Sequence, residues 1–144
     1  MDKKGKRLER IFPAYFELFD LPEGAREEEI KVYRACRTGA CDKLSFLPTF
    51  EQQGYQHLEG DDPNEPGTYS LSTYEKPKDV KRFAKMNSEF EVPFKIAVGY
   101  THPKHGLVQR TRERKPKKKD SHVDWWLYED ADFSSYEIRE DLNE

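Results

Sequence analysis

The chain has 144 residues, of which 37% are charged and 13% aromatic, and its formal net charge is −3 at pH 7. This length predicts a single domain, and the shortage of aliphatic residues means that its core must depend on aromatic rings. The small net charge gives no general attraction to nucleic acids or membranes. No apolar run approaches the roughly 20 residues of a membrane span, and the N-terminus lacks the apolar centre of a secretory signal, so we expect a cytoplasmic protein.

Hydrophobic periodicity predicts the following helices and strands in chain order. An amphipathic helix is expected at residues 7–21, interrupted by Pro13, and a second helix at residues 77–90, with Pro77 in its first turn. Residues 42–55 predict a short helix or turn, and residues 133–142 a terminal helix or an ordered tail. The predicted strands are residues 30–36, 69–74, 93–100, 107–111 and 122–128.

This order of elements predicts an α+β fold in which residues 1–144 form one domain. We expect a small curved sheet, mixed or antiparallel, with an N-terminal helix and a mid-chain helix packed on it. The strands at residues 93–100 and 107–111 are separated by a short loop and predict a hairpin. Residues 1–6, 57–67 and 112–121 are rich in charge, glycine or proline and are expected to be flexible.

The candidate ligand site lies where the strand at residues 69–74 ends. Ser70, Ser72 and Thr73 precede the helix that begins near Pro77. Hydroxyls at a strand end that face a helix N-terminus are suited to a phosphate-bearing ligand.

Several positions together resemble the ADP-ribosyltransferase family. These are Arg34 on the first strand, the Ser-Leu-Ser-Thr strand, a helix with Val80, Phe83 and Ala84, and an acidic residue at the last strand. The resemblance implies that NAD is held in a cleft between two small sheets. It further implies that Arg34 contacts the NAD phosphates, that Ser70, Ser72 or Thr73 supports the nicotinamide ribose, and that a carboxylate stabilises the oxocarbenium-like centre as nicotinamide leaves.

The last strand supplies the candidates for the chemistry. Asp124 and Glu129 stand where the family pattern has a glutamate, and His122 is a candidate general base because its unperturbed pKa is near neutral. Trp125 or Trp126 would stack on the leaving ring, and Tyr33 adjoins Arg34 at the cofactor side. In the alternative interpretation the two tryptophans point to opposite faces of a strand, one into the core and one under the tail or an N-terminal helix, and Arg34 pairs with an acidic neighbour.

No metal is expected. Cys36 and Cys41 are too few for a structural zinc site, and His102 and His105 fit an exposed loop. Two further functions stay open, so whether the chain is an enzyme is undecided. The first is a non-catalytic interaction module, an inhibitor or adaptor, that contacts a protein through the acidic C-terminal face of residues 124–144 or through the basic loop. The second is nucleic-acid binding by residues 110–119 (RTRERKPKKK). The sequence as a whole also resembles small proteins of bacteria and their mobile elements, which implies a source but no activity.

Overall fold

The computed structural model describes residues 11–87 and 94–142, and it confirms a single α+β domain. The strands are β1 Lys31–Cys36, β2 Leu71–Tyr74, β3 Lys95–Tyr100, β4 Gly106–Arg110, β5 His122–Leu127 and β6 Glu137–Ile138. The α-helices are α1 Thr49–Gln52 and α2 Pro77–Asn87. Short 3₁₀ helices occupy Ala14–Leu18, Lys43–Phe46, Pro66–Tyr69, Thr111–Glu113 and Glu140–Leu142. Within these residues no helix has the length and apolar character that crossing a membrane requires.

All strand pairs are antiparallel, and the order across the sheet is β4-β5-β2-β1-β3-β6. The predicted hairpin of β3 with β4 is therefore wrong. The chain that precedes β1 takes the place of that pairing: Thr101 N–H donates to the Ile30 carbonyl at 2.9 Å, and Arg26 and Val108 exchange two backbone hydrogen bonds of 2.9 and 2.8 Å. Strands β3 and β4 thus each bond to the chain that precedes β1 and do not pair with each other.

The strand register assigns side chains to two faces, because paired residues of an antiparallel sheet share a face and neighbours in a strand alternate. Leu71 pairs with Trp125 and Ser72 with Asp124, while Tyr33 pairs with Tyr74. We call the side of Leu71 and Trp125 the tail face and the side of Ser72, Asp124 and Tyr74 the helix face.

The tail face is buried beneath residues of the C-terminal tail. Trp125 is fully buried there, and its ring lies against those of Phe133 and Tyr136. Phe46 stacks on Phe133 with ring centroids 4.3 Å apart. This aromatic packing forms the largest core cluster of the described residues.

The helix face is covered in two places. Helix α2 packs Val80 and Ala84 near Tyr33 and Tyr74. At the other end, aromatic residues of the N-terminal segment cluster around Trp126, which is also fully buried. Trp125 and Trp126 thus point to opposite faces, one under the tail and one under the N-terminal segment, in agreement with the structural alternative.

The N-terminal segment is less helical than predicted. Of residues 7–21, residues 7–10 lie outside the described part, and the helix is a 3₁₀ turn, Ala14–Leu18. Pro13 is the N-cap with extended backbone and Phe19 ends the turn in an extended conformation. The burial of aromatic rings on Trp126, rather than helix propensity, therefore determines the path of the segment.

Candidate functional site

Arg34 lies on the face of the sheet opposite the predicted site residues Ser72 and Asp124. It follows Tyr33 in β1 and so lies on the tail face, opposite the side chains of Ser72 and Asp124. Its side chain is directed into the fold: Nε donates to the Ser45 carbonyl at 2.8 Å and Nη1 to the Ser72 carbonyl at 2.9 Å, and the residue is 5% exposed. Burial lowers the pKa of its guanidinium to about 10, so the group stays charged at neutral pH. Arg34 joins β1 to two neighbouring backbone segments, and among the described residues no carboxylate pairs with it.

Asp124 is the centre of a buried polar network on the helix face. Its carboxylate accepts hydrogen bonds from Ser70 Oγ at 2.6 Å, Thr111 Oγ1 at 2.7 Å and Arg114 Nη1 at 2.8 Å, and its side chain is 1% exposed. A buried carboxylate with three donors is well satisfied, which is the usual condition for burying a charge. The geometry is that of an anchor, with no open side for a substrate.

Arg114 extends this network to the segment that contains the basic loop. Its Nη1 also donates to Gln109 Oε1 at 2.8 Å, its Nη2 reaches Glu65 Oε2 at 3.2 Å, and its guanidinium lies 5.6 Å from the Trp126 ring centroid. Lys115 pairs with the other oxygen of Glu65 at 2.9 Å. The basic loop and the acidic loop near residue 65 therefore attract each other within the fold, and both segments make specific contacts.

His122 joins the network through a hydroxyl. Thr111 Oγ1 lies 2.5 Å from His122 Nδ1 and 2.7 Å from an oxygen of Asp124. Since the hydroxyl donates to the carboxylate, Nδ1 is the donor to the hydroxyl oxygen. Burial lowers the pKa of His122, although Asp124 opposes the shift. The imidazole is thus neutral at pH 7 and held in one tautomer.

The other predicted residues divide between the two faces. Ser70 belongs to the Asp124 network through its own hydrogen bond, and Ser72 lies opposite Asp124 in the pairing of β2 with β5. Tyr33 lies on the same face as Ser72 and Asp124, but α2 covers it. Two side chains lie on the tail face with Arg34: Thr73, whose hydroxyl donates to the Val123 carbonyl at 3.0 Å, and the buried Trp125.

Glu129 lies at a different place, just beyond the end of β5, where it lines an open groove of about 1030 Å³. Three separate parts of the chain form its walls: residues 13–15, residues 41–55 and residues 127–134. Aromatic side chains from all three parts line it, namely Tyr15, Phe46, Tyr55, Tyr128 and Phe133. We call this the acidic groove because of the carboxylates at its walls.

Five carboxylates line the acidic groove against one lysine, Lys43. They are Asp42, Glu51, Glu129, Asp130 and Asp132. Among the residues that the structure describes, none of the five has a lysine or arginine nitrogen within 4 Å. Three have other donors. Thr38 Oγ1 donates to Asp42 at 2.9 Å and Tyr15 Oη to Glu51 at 2.5 Å. The Ser134 N–H donates to Asp132 at 2.7 Å and holds its pKa below the usual value. The groove is therefore negative, because no lysine or arginine among the described residues forms an ion pair with its carboxylates.

Tyr55 at the rim has an unusual backbone. Its φ is 64°, and within the described residues no other non-glycine residue has positive φ. A Schellman motif ends α1 here, because Gly54 N–H bonds to the Glu51 carbonyl and Tyr55 N–H to the Phe50 carbonyl. The Tyr55 ring is 61% exposed and packs edge-on against Tyr15 and Phe50. Left-handed backbone at a bulky residue is costly, of order 1–3 kcal/mol, and such positions concentrate at binding sites.

The sequence reasoning missed the partners of Asp124 and the walls of the groove. In the sequence Thr111 ends a predicted strand and Arg114 lies in the basic run, and neither position indicates that a hydroxyl and a guanidinium meet at a buried carboxylate. Local signals for the groove are the acidic run after β5 and Gly54, which permits the Schellman turn before Tyr55.

The comparisons with protein-family models, with curated proteins and with solved structures gave no match for this chain. In residues 11–87 and 94–142 no group of three or more His, Cys, Asp or Glu side chains is placed to hold a metal ion. The evidence on function is therefore the geometry of the Asp124 network and of the acidic groove.

Proposed function

We propose that the protein is a non-catalytic interaction module whose acidic groove binds a basic segment of a partner protein. The observation that carries the proposal is the set of five carboxylates around the groove, unpaired with cations among the described residues. Several carboxylates elsewhere in the fold are paired, for example Glu65 with Arg114 and Lys115. The groove therefore keeps a negative potential that a cationic ligand would neutralise.

The aromatic lining specifies the ligand further. Lysine and arginine carry long apolar stems below a charged head, and their heads bind over aromatic faces. Exposed rings such as Tyr55 offer such faces beside carboxylates such as Glu129 and Asp130. The volume is at the upper end of small-molecule sites, roughly 300–1000 Å³, and the groove is open, so an extended peptide fits it better than a compact metabolite.

The experiment measures binding of a fluorescent peptide in which arginine alternates with leucine, with a glutamine-for-arginine peptide as the neutral comparison. We expect saturable binding of the basic peptide alone. The triple variant Glu129→Gln/Asp130→Asn/Asp132→Asn should weaken it, because each partly exposed ion pair contributes about 0.2–1 kcal/mol. A total near 1–2 kcal/mol corresponds to roughly five- to thirtyfold in Kd.

A charge-matched control removes three exposed carboxylates that do not line the groove, in the variant Glu23→Gln/Glu29→Gln/Glu59→Gln. It should leave the affinity near that of the wild type. Equal weakening by both variants would show that only overall charge matters, and equal binding of the neutral peptide would remove the basis of the proposal.

An ADP-ribosyltransferase-like function with bound NAD stays a prediction from the sequence. Its weakness is geometric, since Arg34 is buried on the tail face while Ser72 and Asp124 point to the helix face. Calorimetric titration of the wild-type protein with NAD tests it directly, and saturable heat would favour it over the module proposed above.

A further inference from the structure

Cationic residues are concentrated in two stretches that are distant in the chain. Residues 77–87, which form α2, and residues 110–119 together hold 11 of the 25 lysines and arginines but 2 of the 28 acidic residues. The rest of the chain is correspondingly acidic. Overall net charge therefore conceals a strongly basic part of the molecule.

The cations of α2 form one row on its solvent side. Lys78, Lys81, Arg82 and Lys85 are spaced at i, i+3, i+4 and i+7, and all are exposed. Side chains at this spacing share a helix face. The opposite side of the helix carries Val80 and Ala84 into the core, so packing on the sheet fixes the cationic row toward solvent.

The second stretch is held beside the start of this helix. The Asp79 carboxylate accepts hydrogen bonds from Ser121 N–H at 2.9 Å and Ser121 Oγ at 2.7 Å. Lys76 N–H in turn donates to Ser121 Oγ at 2.9 Å. Since only Asp120 separates Ser121 from residues 117–119, the three lysines there lie near the first turn of α2. The other end of the stretch is fixed by Arg114 on Asp124.

Most of these cations have no carboxylate partner. In the described ranges six of the 11 have no acidic oxygen within 4 Å, and Lys76, just before α2, has none either; the six are Lys78, Lys81, Arg82, Lys85, Lys117 and Lys119. The other five are paired: Arg110 with Glu75 at 3.1 Å, Arg112 with Glu75 at 3.7 Å, Arg114 with Asp124 at 2.8 Å, Lys115 with Glu65 at 2.9 Å, and Lys118 with Asp120 at 3.8 Å. We call Lys76 and α2 together with residues 112–119 the cationic surface.

We infer that the cationic surface binds the phosphate backbone of a double-stranded nucleic acid without reading its sequence. A row of cations with a second cluster beside it matches a partner with regularly repeated negative charge. Single-strand binding normally adds exposed aromatic rings for base stacking, whereas the ring nearest the row, Phe83, is partly buried in the core cluster. The inference is separate from the groove, because the two surfaces share no residue.

The test is fluorescence anisotropy with a labelled DNA duplex of about 20 base pairs, titrated at about 50 to 200 mM salt. If all seven unpaired cations contact phosphates, the slope of log K against log salt is about −6, since each contact contributes about −0.9. The magnitude of the slope should not exceed this value. The variant Lys81→Gln/Arg82→Gln/Lys85→Gln should reduce the magnitude of this slope by up to about 2.7. A duplex of scrambled sequence should bind equally well.

The matched control is Lys31→Gln/Arg37→Gln/Lys104→Gln, which removes the same charge from exposed positions outside the cationic surface. It should leave the slope unchanged. All the altered side chains are exposed, and thermal unfolding of each variant verifies that the fold is intact. The inference is overturned by absence of duplex binding at the lowest salt, by equal effects of the two variants, by tighter binding of a single strand than of the duplex, or by binding to phosphatidylserine vesicles in place of DNA.

Discussion

Replacing Asp124 by asparagine tests whether the buried network is an anchor of the fold. Asparagine keeps the size of the side chain but removes its charge and replaces one acceptor oxygen by a donor. The three groups that donate to Asp124, on Ser70, Thr111 and Arg114, would then face a neutral group with one oxygen. The Arg114 guanidinium, 16% exposed, would lose its shortest ion pair.

The expected cost follows from the burial of this pair. Removing one partner of a buried ion pair costs about 3–5 kcal/mol, because an uncompensated charge stays behind. Arg114 is partly exposed and keeps Glu65 at 3.2 Å, which places Asp124→Asn near the lower limit, about 3 kcal/mol. For a domain of this size we expect the midpoint of thermal unfolding to fall by roughly 6–12 °C.

A double-mutant cycle isolates the pair. Urea unfolding is measured for the wild type, Asp124→Asn, Arg114→Met and the double variant, and Asp130→Asn serves as the exposed control, with an expected change within about 0.5 kcal/mol. The double variant should cost less than the two single changes together, by about 1–3 kcal/mol. Additive single effects, or a cost of Asp124→Asn no larger than that of the control, would refute the anchor. Stabilisation by Asp124→Asn would instead indicate a strained functional site.

Three further predictions concern a histidine, a glycine and the two cysteines. Burial lowers the pKa of His122, so the unfolded chain binds its proton first, near pH 6.5; stability should be full above that pH and fall as pH decreases below it, and urea midpoints between pH 7.5 and 5.5 should vary less in His122→Gln. Gly99→Ala should destabilise by about 1–3 kcal/mol through overpacking, because the added Cβ would lie 2.4 Å from carbons of the buried Tyr136 ring; a wild-type melting curve for this variant would contradict the packing. Burial raises the pKa of Cys36 to about 12, and Cys41 is partly exposed, so a disulfide reagent should label one thiol rapidly; Cys41→Ser should abolish that phase, and persistence of the fast phase would assign it to Cys36.

Individual strands and helices were predictable because the spacing of apolar residues along each one shows which of its side chains face the core. The alternation in β5 places Trp125 and Trp126 on opposite faces, and both are buried. Helix α2 begins at Pro77, as its missing N–H allows. Such patterns depend on a residue and its near neighbours, which the sequence contains in full.

The order of strands was not predictable in the same way, and it decides the candidate site. A period of two means that a shift of one residue changes the face of a side chain. Arg34 is adjacent to Tyr33 and so is directed away from Asp124, although both lie on central strands. The acidic groove was equally hidden, because its walls come from three distant segments, and no local pattern indicates that they meet.

The distribution of charges that folding does not use supports the two proposed surfaces. Many opposite charges pair within the fold, as in the contacts of Arg26 with Glu113 and Arg110 with Glu75. If solubility alone governed the remaining charges, both signs would be interspersed over the surface. Two groups of like charge without opposite partners nevertheless lie close together, namely the five carboxylates of the acidic groove and the cations on α2 and beside it. Like charges held close together cost free energy in the isolated molecule, and a ligand of opposite charge at each surface would remove that cost.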